Sequence, residues 1–81
     1  MDTPQIYAVL TELFHDIFAD DAIVLGPETN ADDIEGWDSF TNLNLIVAVE
    51  GRFGIKMQTA EIEKLRNVGD LVQIIANKTS A

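Results

Sequence analysis

The sequence predicts an all-α chain: a four-helix bundle with a long loop between the first and second helices and a short third helix. Three observations carry that expectation. Apolar residues recur at helical spacing over residues 4–18, 39–53 and 68–77. Residues 19–38, by contrast, hold no clean helical or strand period. The chain has 81 residues and no cysteine, which suits one domain, residues 1–81, stabilised by helix packing. A domain of that size buries only about 60% of its unfolded surface, and here no disulfide or thiolate metal site can reinforce it.

In the first helix, Thr3 is the expected cap. Pro4 suits the first helical position, where its missing N–H costs nothing. Ile6, Val9, Leu10, Leu13, Phe14 and Ile17 then form one stripe. His15 is the only histidine and lies off that stripe. With no cysteine and no clustered carboxylates beside it, it is assigned no catalytic or ligand role. In the loop that follows, Gly26-Pro27 marks a turn, and Ile23, Val24, Leu25, Ile34 and Trp37 are the expected anchors onto the helices. A loop of this length in a compact domain is usually functional. Its acidic end does not fit a calcium-binding loop. With Gly36 at the invariant glycine position, Ala31 and Asn42 fall where an Asp and a bidentate Glu are required. No metal site is expected.

The second helix, residues 39–53, carries two apolar faces. On a wheel of about 100° per residue, Leu45, Ile46, Val49 and Phe53 share one arc, the expected core stripe. Phe40, Leu43 and Val47 fall on the other side, together with Asn44, Glu50 and Gly51. A domain this small can hardly cover both faces, so the second is a candidate docking patch. In the other arrangement Phe40 and Leu43 tuck under the preceding loop, and Val47 stays exposed. Gly54 occupies the usual position after a helix end. A short third helix is expected over residues 60–65, with Thr59 as cap and Glu61 well placed in its first turn. The fourth covers residues 68–77, with Asn67 as cap, Asp70 reaching back to it, and Val68, Leu71, Val72 and Ile75 as its stripe. Thr79-Ser80-Ala81 are expected to fray.

The net charge of −9 argues against nucleic acid, whose phosphates would repel the chain. The charge is unevenly spread. Asp20, Asp21, Glu28, Asp32, Asp33, Glu35 and Asp38 fill the loop with no base among them, whereas residues 51–81 are slightly basic. Such a field can steer a basic protein partner, although solubility alone would also account for the acids. No apolar run reaches the roughly 18 residues of a membrane span, and Met1-Asp2-Thr3 leads into no signal-like segment. A soluble, cytoplasmic monomer is expected.

Ser39 stands where the loop meets the second helix, in Gly36-Trp37-Asp38-Ser39-Phe40. Its hydroxyl would sit at a helix N-terminus, where free N–H groups and the positive dipole end favour an attached anion. Asp38-Ser39 alone reads equally well as an ordinary helix start, since both are favoured caps. Together with the Gly-Trp before it and Leu43-Asn44-Leu45 after it, however, the motif resembles the attachment site of the acyl carrier protein family, over nearly the whole chain.

The resemblance implies a carrier of the four-helix type and no enzyme. Ser39 would bear 4′-phosphopantetheine, donated from coenzyme A by a phosphopantetheinyl transferase, with Asp38 as the flanking motif residue. An acyl intermediate of a lipid, polyketide or related specialised pathway would ride on it as a thioester. Phe40, Leu43, Asn44, Val47 and Glu50 would meet partners: an acyl- or aminoacyl-loading ligase or transferase, and downstream synthase or transferase enzymes. Thr41, Asn44 and Gly51 stand where fatty-acid carriers usually place carboxylates, and only Glu50 remains, followed by Arg52. Phe40 and Val49-Glu50-Gly51-Arg52-Phe53-Gly54-Ile55 are also similar to D-alanyl carrier proteins, which makes an aminoacyl cargo the alternative. An unmodified helical interaction domain is the competing class. An enzyme is the weakest reading, since Ser39 has only the distant His15 to recruit.

Overall fold

Each helix begins near a polar side chain, though not always the one the sequence suggested. The computed structural model describes residues 2–79, with α1 at Thr3–Phe18, α2 at Ser39–Phe53, α3 at Thr59–Glu63 and α4 at Val68–Thr79. Ser80 and Ala81 lie outside the described residues. The cap of α1 is Asp2, not Thr3. Its carboxylate accepts the Gln5 N–H at 2.9 Å, and the Gln5 side chain accepts the Asp2 N–H at 3.1 Å. A carboxylate accepts more strongly than a hydroxyl, which favours starting one residue earlier. In α3 the cap position is Gln58, whose N–H is taken by Glu61 Oε1 at 2.9 Å. That helix ends at Glu63, short of the expected Leu65.

Asn67 caps α4 as expected, accepting the Asp70 N–H at 2.8 Å. Asp70 reaches past Asn67 instead, to the Arg66 N–H at 3.1 Å and the Arg66 guanidinium at 3.0 Å. The guanidinium fork gives a carboxylate a better partner than a lone amide. The helix continues to Thr79, whose hydroxyl donates to the Ile75 carbonyl at 2.8 Å. Gly54 ends α2 in the left-handed conformation, its N–H donating to the Glu50 carbonyl.

Helix α1 packs on both α2 and α4. The core joins Ile6, Leu10 and Phe14 of α1 to Leu45 and Val49 of α2 and to Val68, Leu71 and Ile75 of α4, all essentially inaccessible. Among the described residues no polar or charged residue is buried, so the interior is held by apolar contact alone. Phe53 is half-buried at the edge of this core, not inside it as its wheel position suggested. The wheel fixes a direction, but a residue in the last turn has fewer neighbours to cover it.

The loop is pinned at several points. Ile34 is buried, and Ile23, Leu25 and Trp37 pack on the core. Val24 does not: it is 85% exposed. Burial alternates here: Ile23 and Leu25 are half-buried on either side of exposed Val24. Half-buried His15 lies 2.9 Å through Nε2 from the Ile23 carbonyl, a structural tie between α1 and the loop. Further on, the Thr29 and Pro27 carbonyls accept the Val68 and Gly69 N–H groups at 2.7 and 2.9 Å. Those bonds satisfy the first N–H groups of α4. They also demand glycine, because a Cβ on Gly69 would stand 2.6 Å from the Pro27 oxygen.

Candidate functional site

The turn that delivers Ser39 is built from Gly36 to Asn42. Gly36 has φ +87°, a left-handed conformation that glycine adopts without a Cβ penalty. It turns the chain so that Trp37 lies against Phe14 and Phe18, with ring centroids 5.2 and 6.2 Å away. The indole N–H donates to Asn42 Oδ1 at 3.1 Å, which ties the turn to the first coil of α2. Asp38 is extended (φ −124°, ψ −171°) and caps that helix. Its Oδ1 accepts the Thr41 N–H at 3.0 Å. In return, Thr41 Oγ1 accepts the Asp38 N–H at 2.8 Å and donates to the Gly36 carbonyl at 2.8 Å. The Asp38 carboxyl is held below its ordinary range, chiefly by the Thr41 N–H, against a smaller opposing desolvation.

Ser39 is thus the first residue of α2, and it is exposed. Because Asp38 supplies the cap, the Ser39 side chain has no part in starting the helix. An accessible hydroxyl at the positive end of a 15-residue helix fits a covalently attached phosphodiester. Trp37 and Asn42 of the same turn line a recess of about 110 Å³ that they share with Ile62, Leu65 and Leu71.

The residues expected to meet partners separate into two kinds. Phe40, Leu43 and Val47 are 73, 59 and 67% exposed, so neither Phe40 nor Leu43 tucks under the loop. Asn44 is exposed beside them. Glu50 is half-buried, and its Oε2 accepts the Met57 N–H at 3.0 Å, so it helps hold the segment after α2. Thr41 is the residue that sequence reasoning missed. It reads there as an absent carboxylate, yet the Asp-x-x-Thr spacing from Asp38 was a visible sign of a reciprocal cap.

No helix among the described residues is long and apolar enough to cross a membrane. Within them, no cluster of His, Cys, Asp or Glu could hold a metal ion.

Residues 8–75 match the phosphopantetheine attachment site family. The chain is 31% identical to the acyl carrier protein of Acidothermus cellulolyticus, over 93% of this chain and 89% of that one. It is 32% identical to the acyl carrier protein of Thermosynechococcus vestitus over the full length of both. Among solved structures, the solution structure of a holo acyl carrier protein from Geobacter metallireducens superposes with a TM-score of 0.87. It is 44% identical and covers 91% of this chain and 85% of that one.

Proposed function

The chain belongs to the acyl carrier protein family and carries a 4′-phosphopantetheine prosthetic group, and from that premise we propose that Ser39 is its sole attachment point. As a carrier and not an enzyme, it works with a phosphopantetheinyl transferase and with synthetic enzymes that act on its cargo. The observation that carries the Ser39 assignment is its place as the exposed first residue of a helix already capped by its neighbour. Transfer would form a bond from Ser39 Oγ to the phosphorus that bears the pantetheine arm, break the pyrophosphate bond of coenzyme A, release adenosine 3′,5′-bisphosphate, and pass the hydroxyl proton to the transferase. Once attached, the group supplies a thiol for thioester linkage, which this cysteine-free chain lacks.

The chain's own residues then present the cargo. We read it as a specialised carrier of an acyl intermediate, in a lipid, polyketide or related pathway, with dedicated loading and synthase partners. Two features of the surface support that reading. The exposed side of α2 offers Phe40, Leu43 and Val47 with the neutral Asn44, and the one carboxylate nearby, Glu50, is engaged with the Met57 N–H. The acids lie in the loop before Ser39. A partner would therefore gain contact energy from the apolar patch and steering from the loop.

Intact mass after incubation with coenzyme A and a broad-specificity transferase tests the attachment point. The wild type should gain one phosphopantetheine and Ser39→Ala none. Labelling that persists in Ser39→Ala would overturn the assignment.

A further inference from the structure

Three contacts in the Ser39 turn converge on one residue, Thr41, and two of them on its hydroxyl. Thr41 Oγ1 accepts the Asp38 N–H and donates to the Gly36 carbonyl, while the Thr41 N–H binds the Asp38 carboxylate. A threonine hydroxyl is both donor and acceptor, so this one group spans both ends of the Gly36–Asp38 turn. Nothing else among the described residues bridges those two ends: Trp37 is tied to Asn42, and the Asp38 carbonyl accepts the Asn42 N–H as an ordinary helical bond. Gly36 is in a left-handed conformation, open to many backbone angles. Without a donor on its carbonyl, the Gly36 peptide would lose its one side-chain tie to α2, leaving the Trp37 N–H on the Ile34 carbonyl, the Trp37 ring and the Asp38 cap to restrain the entry to Ser39.

From this we infer that Thr41 is a positioning residue for modification of Ser39: its hydroxyl holds the Gly36–Asp38 turn so that the serine oxygen is presented in one orientation. The inference rests on Ser39 being the attachment point. It follows that Thr41 acts on the transfer step and not on docking, because the patch at Phe40, Leu43 and Val47 is separate from these bonds. A misplaced nucleophile lowers the rate of the bound complex while leaving its formation alone.

Steady-state transfer from coenzyme A, with one purified transferase and the full chain, distinguishes the possibilities. Thr41→Val keeps the shape and removes both hydroxyl bonds. It should lower kcat by about tenfold with KM for the carrier little changed. Thr41→Ser retains both bonds and should restore the rate. Thr41→Asp keeps an acceptor for the Asp38 N–H but cannot donate to the Gly36 carbonyl, and should fall between the two.

Four results would overturn the inference. One is a Thr41→Val variant as fast as wild type. A second is a loss confined to KM, which would make position 41 a docking contact. A third is Thr41→Asp faster than wild type, which would mark a missing recognition carboxylate. The last is a Thr41→Val deficit that disappears once the assay is cooled well below that variant's melting temperature, which would reduce the effect to helix stability. Ser39→Ala run alongside keeps the two questions apart. If it still takes label, the attachment site is wrong, whatever Thr41 does.

Discussion

The two sides of α2 are made of similar residues and meet opposite fates. Leu45, Ile46 and Val49 are buried, whereas Phe40, Leu43 and Val47, on the same 15-residue helix, are mostly in water. Side-chain hydrophobicity does not separate the sets, since Phe and Leu are on the wet side and Val is on both. Coverage does: α1 packs along one side of α2, and no described element covers the other. An apolar residue is buried only where a second surface is available to meet it. What remains uncovered is a contiguous patch next to Ser39, the kind of surface that proteins keep for partners.

Leu45→Ala is the strongest way to break this comparison. It removes a fully inaccessible side chain and should cost about 2–5 kcal/mol in urea unfolding, a large share of the stability of so small a domain. Val47→Ala is the matched change on the other side. It should move stability by less than about 0.5 kcal/mol while lowering turnover by an enzyme that loads or elongates the carrier. If both variants lose the same stability, the two faces are not the ones described.

A smaller effect belongs to the turn between the faces. The folded Asp38 carboxyl titrates below its ordinary value, first because of the Thr41 N–H. Its contribution is therefore complete above the unfolded carboxylate pKa and is lost as the pH falls through the lower folded value. The stability gap between wild type and Asp38→Asn should be widest near neutrality and should narrow below about pH 4. Because Asp38 is exposed, the gap should be small, and equilibrium unfolding across that range would reveal it. A gap that widens toward acid would contradict the cap geometry.

Much of this was legible because it is local. The stripes of α1 and α4 recur within a few turns of one helix, and Gly54 marks a helix end by a backbone preference of its own. The bounds of α2 fall where the wheel and the Asp38-Ser39 junction place them. Two kinds of miss are instructive. At Asp2, Gln58 and Asp70 several polar groups compete within one turn, and the winner depends on differences of about 1 kcal/mol. At Val24 there was no period to read, so an apolar residue in a loop was mistaken for an anchor.

For the site, sequence alone located Ser39 at the start of a helix and found two apolar faces on that helix. It took the face of Leu45, Ile46, Val49 and Phe53 as the core stripe, and three of those four are buried; what it could not show is the surface that covers them, because α1 lies far away in the chain. Nor could it show Glu50 bound to the Met57 N–H, Trp37 lodged between Phe14 and Asn42, or the loop carbonyls of Pro27 and Thr29 closing the first turn of α4. Periodicity and caps are properties of neighbours in sequence, and the chain carries them wherever it goes. Coverage and hydrogen-bond partners across the fold exist only once distant segments meet, and those meetings decided which apolar residues are covered and which face water.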